Sequence, residues 1–168
     1  MGTIQKTLVV LKPDSISRTL VGQIIGRFER AGLQIVASKM VAPSVDFFKG
    51  HYENIGKLGT RKGEEVLNRV VEDMRKTPVL AMVLEGVEAV EYVRKIVGST
   101  EPKSAVPGTI RGDFAHMSYA YADNNPGTSI FNLIHASANL QEAELEIKHW
   151  FNENEIFKYK SLHSEFTR

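Results

Sequence analysis

The chain has 168 residues, 21 Lys+Arg against 20 Asp+Glu, and no cysteine. That length suits one domain, spanning residues 1–168, which buries roughly 70% of its unfolded surface and needs no covalent staples. Absent cysteine excludes a disulfide framework and thiolate chemistry, and balanced charge without a basic run argues against binding nucleic acid by phosphate neutralisation. No secretory pattern opens the chain, and no apolar run approaches the ~20 residues of a membrane span, so a soluble, cytoplasmic protein is expected.

Thr7–Lys12 (TLVVLK) is a continuous apolar run closed by a charge and Pro13, which reads as a buried strand. Pro13 has no amide donor and disfavours helix at Lys12, so a turn is expected there. Leu20, Val21, Ile24, Ile25 and Phe28 recur at helical spacing up to Gly32, and Leu33–Val41 reads as a second strand. Ser44 is placed to cap a short helix through His51 and Tyr52. Gly56, Gly59 and Gly63 mark a loop, after which Val66, Leu67, Val70, Val71 and Met74 repeat the helical spacing until Pro78. Val79–Leu84 (VLAMVL) predicts a third strand, and Val87–Val97 an amphipathic helix stopped by Gly98. Ser99–Asp113 reads as irregular, Phe114–Tyr121 as a strand and Ala122–Gly127 (ADNNPG) as a turn. Asn139 and Glu142 form a capping pair for a last helix carrying Leu140, Ala143, Ile147, Trp150 and Phe151. Residues 152–168 read as a polar tail.

Two strand-helix-strand halves predict an α/β (α+β) fold. Its expected form is a ferredoxin-like βαββαβ sandwich, a mainly antiparallel four-stranded sheet with helices packed on a face. A doubly wound parallel sheet is the competing arrangement.

Several chemistries are missing. The chain has no Walker A loop, no GxGxxG, no HRD or DFG, no GxSxG, and no histidine pair at helical metal-binding spacing. What remains is a set of polar residues in small or apolar surroundings: Lys12 at a strand end, Arg94 on a helix, Arg111 in GTIRGD and His135 in NLIHAS. Each also has a bland reading, as a snorkelling lysine, a solvated helix arginine, a loop anchor and a core histidine. Phosphate chemistry needs several cations in one place, with fixed donors aimed where charge develops. An unperturbed histidine, pKa roughly 6.5, is largely neutral at pH 7 and can attack phosphorus. Glycines beside Arg111 are expected to let backbone approach a phosphate closely.

With these motifs in order, the chain resembles the nucleoside diphosphate kinase family. The match rests on TLVVLKPDSISRTLVGQIIGRFERAGLQIV, HY at 51–52, VRKIVGSTEPKSAVPGTIRGDF, and NLIHAS with the helix through Trp150. The resemblance implies that His135 is phosphorylated through Nδ1. Glu146 would hold the other ring nitrogen, with Ser137 supporting Glu146. It implies that Lys12 contacts the sugar hydroxyl and phosphate, with Asn132 on the sugar side and Tyr52 beside Lys12. Arg94, Thr100 and Arg111 would bind phosphates. Mg²⁺ is the implied cofactor, held by nucleotide phosphates and water rather than by a protein cage. The implied cycle is ping-pong between nucleoside tri- and diphosphates, in a homo-oligomer, hexamer or tetramer.

The chain departs from the family pattern in two stretches that look expanded, roughly 53–65 and 115–130. The family's base-stacking phenylalanine falls on Val66, so base discrimination is expected to be loose. Tyr119, Tyr121 and Phe131 are the candidates to supply the missing aromatic face, and Ala138 stands where an acidic residue is common. A non-catalytic nucleotide-binding protein and a nucleic-acid binder are the competing functional classes. The first would need a missing nucleophile or cation, and none is missing.

Overall fold

The computed structural model describes residues 2–125 and 127–168. In chain order the elements are β1 (Ile4–Leu11), α1 (Pro13–Ser17), α2 (Val21–Arg30), β2 (Gln34–Val41) and α3 (Val45–Lys49). A π-helical turn over Gly50–Ile55 follows, then α4 (Leu58–Lys62), α5 (Glu64–Met74), β3 (Val79–Val87) and α6 (Ala89–Val97). The chain continues through α7 (Ile110–Phe114), α8 (Tyr119–Asp123), β4 (Ile134–Ala136), α9 (Leu140–Trp150) and α10 (Ser164–Thr167). The sheet order is β2-β3-β1-β4 with every neighbouring pair antiparallel. This is the ferredoxin-like arrangement, and it excludes the doubly wound parallel sheet.

The apolar runs in β1 and β3 are continuous because the sheet is covered on both faces, not one. Val9, Leu11, Met82 and Leu84 pack with Ile24 and Phe28 of α2 and Val93 and Val97 of α6. Their alternate neighbours Leu8, Val10, Ala81 and Val83 pack with Phe48 of α3, Leu67 and Val71 of α5, and Trp150 after Ile147 of α9. A strand alternates its side chains between faces, so two apolar faces need an unbroken apolar run.

Several local expectations change, among them Ser99–Asp113, whose last four residues open α7 instead of staying irregular. Phe114–Tyr121 is not a strand: Phe114 closes α7, residues 115–118 are extended loop, and Tyr119 opens α8. Polar caps decide this, since Thr109 accepts the Gly112 amide and Ser118 accepts the Tyr121 amide, starting a helical turn on either side. The fourth strand is instead Ile134–Ala136. Pro13 starts α1 rather than a turn, because its missing amide costs nothing at a first helical position. The glycine-marked loop contains α4, tied down by the Glu53 carboxylate, which accepts the amides of Gly59 and Thr60. Of the ADNNPG turn, Pro126 lies outside the described residues.

Other signals sit where the sequence puts them. Ser44 caps α3 by accepting the Phe47 amide, and Asn139 caps α9 by accepting the Glu142 amide. Gly32 and Gly98 carry φ of 83° and 86°, the left-handed turn that ends a helix. Beyond α9 the chain runs along β2: the Phe157 amide donates to the Val36 carbonyl and the Tyr159 hydroxyl to the Ile35 carbonyl. No helix among the described residues is long and apolar enough to cross a membrane.

Candidate active site

The site hangs from β4, which is only three residues long and pairs with β1 alone, His135 opposite Val10. So short a strand does not hold its own register. Leu133, just before it, has φ 71°, a left-handed conformation unfavourable by roughly 1–2 kcal/mol for a residue with a Cβ. The segment after β1 holds it there. The Leu133 amide donates to Asp14 Oδ2 at 2.9 Å, and its carbonyl accepts from the Lys12 amide at 2.9 Å and from the Ser15 hydroxyl. Arg111 fastens the same turn from α7. Its guanidinium donates to the carbonyls of Asn132 (3.0 Å), Gly98 (3.0 Å) and Ile134 (2.6 Å).

On this support His135 is oriented by a relay. Its Nε2 lies 2.8 Å from Glu146 Oε1, and the Ser137 hydroxyl donates to Glu146 Oε2 at 2.6 Å. Ser137 Oγ in turn accepts the Leu8 amide of β1 at 3.2 Å. Glu146 is 1% exposed and the His135 side chain 19%, so the carboxylate is sealed behind the ring. A carboxylate accepts only, which places the ring proton on Nε2 and leaves the Nδ1 lone pair free. Nδ1 has no hydrogen-bond partner among the described residues.

Two groups pack around the relay. His51 is buried, its ring centroid 4.5 Å from that of His135 at 83°, and its Nδ1 accepts the Trp150 indole N–H at 3.2 Å. Burial holds His51 well below the ordinary histidine range, helped by His135 and His149, so it stays neutral. Its 3.8 Å approach to Glu146 is therefore not an ion pair. Tyr52 stacks its ring edge-on 6.3 Å from His135, and its hydroxyl is buried without a partner. Burial raises that phenol, with Glu146 and Asp14 adding to the effect.

Lys12 Nζ donates to Asn132 Oδ1 at 2.7 Å, and Asn132 Nδ2 donates to the Thr100 carbonyl at 2.8 Å. Burial lowers the Lys12 pKa to about 8, and lowers that of Arg111 to about 10 with the neighbouring Arg94 charge adding to the fall. Arg111 anchors the loop through three of its five N–H donors and also lines the cleft.

Lys12, Tyr52, Val66, Arg94, Thr100, Arg111, Asn132, His135 and Glu146 all line one cleft of about 740 Å³, with Ser137 buried behind Glu146. Tyr119 lines it too, whereas Phe131 lines a smaller adjoining pocket and Tyr121 lies on the surface. The glycines beside Arg111 serve the loop rather than a ligand. A Cβ on Gly112 would lie 2.0 Å from the Val106 carbonyl, and Gly108 takes φ 91° in open space.

Sequence reasoning missed several contributors. Asp14 and Ser15 stood directly after Lys12 and Pro13, but their target, a backbone turn more than a hundred residues away, left no local trace. His51 was visible only as a letter beside Tyr52. Arg61 and Lys62 lay in the stretch read as a loop, and Arg69 carried no signal beyond its place in a helical stretch.

A cleft that gathers cations around one carboxylate-held imidazole is equipped to handle transferable phosphate, as in a phosphotransferase. Residues 5–156 match the family model described as nucleoside diphosphate kinase. The chain is 48% identical to a nucleoside diphosphate kinase of Borreliella burgdorferi, covering 94% of this chain and 93% of that protein. It is 42% identical to one from Pyrococcus furiosus, covering 95% and 90% respectively. A solved structure described as a transition-state mimic of the Borrelia burgdorferi enzyme, with bound vanadate and ADP, superposes with a TM-score of 0.90. It is 46% identical, with 95% of this chain and 94% of that chain covered. The Halobacterium salinarum enzyme in complex with CDP gives 0.81 at 30% identity, covering 97% of each chain. The chain belongs to the nucleoside diphosphate kinase family.

Proposed function

We propose that His135 carries the phosphate in a ping-pong exchange between a nucleoside triphosphate and a nucleoside diphosphate. The observation that carries this reading is the Ser137–Glu146–His135 relay, which commits Nε2 and leaves Nδ1 free. In the first half-reaction the Nδ1 lone pair attacks the γ-phosphorus and the bond from phosphorus to the bridging oxygen breaks. The diphosphate leaves with the electron pair. Nε2–H stays with Glu146, whose carboxylate stabilises the positive charge that develops on the ring. No proton has to leave the imidazole. In the second half-reaction a terminal oxygen of another diphosphate attacks phosphorus and the Nδ1–P bond breaks.

The roles of the cleft follow from position. Lys12, Arg94 and Arg111 offer charge to the phosphate oxygens, and Thr100 lies beside them. The unpartnered Tyr52 hydroxyl supplies a donor next to Lys12 and His135. Asn132 keeps one lone pair and one N–H for the sugar after serving Lys12 and Thr100. Val66 offers the base an apolar contact.

Mg²⁺ is proposed to arrive on the nucleotide. Asp14 and Glu146 already hold Leu133 and His135. The one ligand cluster found among the described residues is His51, His135 and Glu146, whose atoms lie within 4.8 Å of one another. Two imidazoles and one carboxylate do not suit a cation that prefers six oxygens and keeps its waters. When bound, Mg²⁺ neutralises phosphate charge; the protein contributes the cations that do the rest. Homo-oligomerisation as a hexamer or tetramer and a cytoplasmic location complete the proposal, with the assembly to be read by light scattering.

The test is incubation with γ-labelled ATP and Mg²⁺, then a chase with unlabelled diphosphate, beside His135→Ala. The wild type is expected to take up alkali-stable, acid-labile phosphate and release it to the diphosphate. His135→Ala is expected to fold and to take up none. Label on the variant, or none on folded wild type, would reject the assignment.

A further inference from the structure

Among the described residues, four buried side-chain polar atoms have no hydrogen-bond partner: Thr7 Oγ1, Tyr52 Oη, Arg69 Nε and Ser164 Oγ. Two of them, on Tyr52 and Arg69, belong to residues lining the same cleft. Tyr52 lies against His135 and serves the transferred phosphate. Arg69 has no part in the transfer chemistry.

The other cations of the cleft are accounted for. Lys12 donates to Asn132, Arg111 to three backbone carbonyls, and Arg61 twice to the Gly56 carbonyl. Arg94 and Lys62 are exposed to water. Arg69 alone combines partial burial with a buried N–H and no acceptor. A guanidinium does not deprotonate in proteins, so it cannot relieve the deficit by losing a proton. Buried donors in native folds are satisfied, and one left open in a ligand cleft marks where a ligand supplies the acceptor.

Its neighbours say which part of a nucleotide that is. Arg69 is three residues beyond Val66 on α5, so the two side chains share a face. This wall also presents Val70 and Leu58 to the cleft. Apolar side chains suit a flat base and give a phosphate nothing. The phosphate-binding cations belong to other elements: Lys12 at the end of β1, Arg94 on α6, Arg111 on α7.

We infer that Arg69 is a base-contact residue. Its guanidinium, which makes no hydrogen bond among the described residues, donates to an acceptor on the edge of the nucleobase, while the base lies against Val66 and Val70. This rests on the proposed transfer site and adds a substrate contact to it. Every common base carries an acceptor beside the glycosidic bond, purine N3 or pyrimidine O2. A donor aimed there holds any base, which fits a wall without an aromatic face.

The test is calorimetric binding of ADP, GDP, CDP, UDP and inorganic tripolyphosphate, each with Mg²⁺, to wild type, Arg69→Gln and Arg69→Lys. Gln and Lys are as acceptable as Arg in a helix, so folding is expected to hold, with Tm as the check. Kd for all four nucleotides is expected to rise at least about tenfold in both variants, as for loss of a charged hydrogen bond. Tripolyphosphate affinity is expected to stay unchanged. An equal loss for tripolyphosphate would put Arg69 on the phosphates and overturn the inference. So would full affinity in Arg69→Lys, which would make charge alone sufficient, or full affinity in Arg69→Gln, which would mean that water fills the N–H. ATP labelling of His135, run in parallel, separates this from the transfer reading: a wild type that binds nucleotide and takes no label defeats only the latter. A wild type that does neither defeats both.

Discussion

Burial at the end of β1 pulls the Lys12 ammonium from 10.5 down to about 8; Arg111 adds to the fall, and Asp14 and Asp73 oppose it. Below that pH the side chain is charged, as its proposed contact with phosphate oxygens requires. As pH rises through it the free protein loses the charge, so productive binding weakens on the alkaline side. The value of kcat/KM for a nucleoside triphosphate, which in the proposed ping-pong cycle reports the free protein, is expected to be level near pH 7 and to fall above pH ~8. In Lys12→Arg the fall is expected to disappear from this range, because the guanidinium keeps its proton. A wild-type profile level to pH ~9.5 would remove Lys12 from phosphate binding. His51 adds no competing titration near neutrality, since burial keeps it neutral.

The elements divide by how far away their causes lie. Strands β1, β2 and β3 and helices α2, α5, α6 and α9 were legible because each buries a periodic face against the sheet. The strand that carries His135 was not. Three residues show no period, and what sets them is Leu133 clamped by Lys12, Asp14 and Ser15, with its neighbours Asn132 and Ile134 held by Arg111. The alternating look of Phe114–Tyr121 lost to Thr109 and Ser118, whose hydroxyls nucleate helical turns. The site residues were readable as a set only through the likeness to a family; Arg69 lay outside that likeness. The clamp can be tested at Asp14. Asp14→Ala leaves the buried Leu133 amide unpaired and is expected to cost about 1–3 kcal/mol in urea unfolding, with slower labelling of His135. Asp14→Asn keeps an acceptor and is expected to recover most of both. Equal losses in the two variants would mean that Asp14 acts through its charge and not through Leu133.

In the whole molecule, β2 and β4 are the sheet edges. An open edge invites pairing with other chains, and residues 157–168 shield that of β2. The Gln34 amide donates to the Tyr159 carbonyl at 2.7 Å, and Arg168 pairs with Glu85 and donates to Gln34 Oε1 at 2.6 Å. A Cβ on Gly32 would meet Thr167 at 2.3 Å, so the end of the chain also lies against the turn before β2. None of these contacts touches the cleft. Removing residues 157–168 is therefore expected to lower Tm and promote concentration-dependent association while leaving the labelling of His135 intact. Loss of labelling in the folded, dispersed truncation would show that the tail supports the site.

The relay behind His135 also sets a schedule. Leu8 and Ser137 are 129 residues apart in the chain, and Glu146 follows His135 by 11. During synthesis, β1, β2 and β3 leave the ribosome long before α9, so a nascent chain can assemble most of its sheet while its imidazole has no fixed tautomer. Under the proposed transfer, phosphate uptake is expected only once α9 has emerged and set Glu146 against the ring. The proposed labelling of His135 would therefore report a chain whose last long helix is already in place.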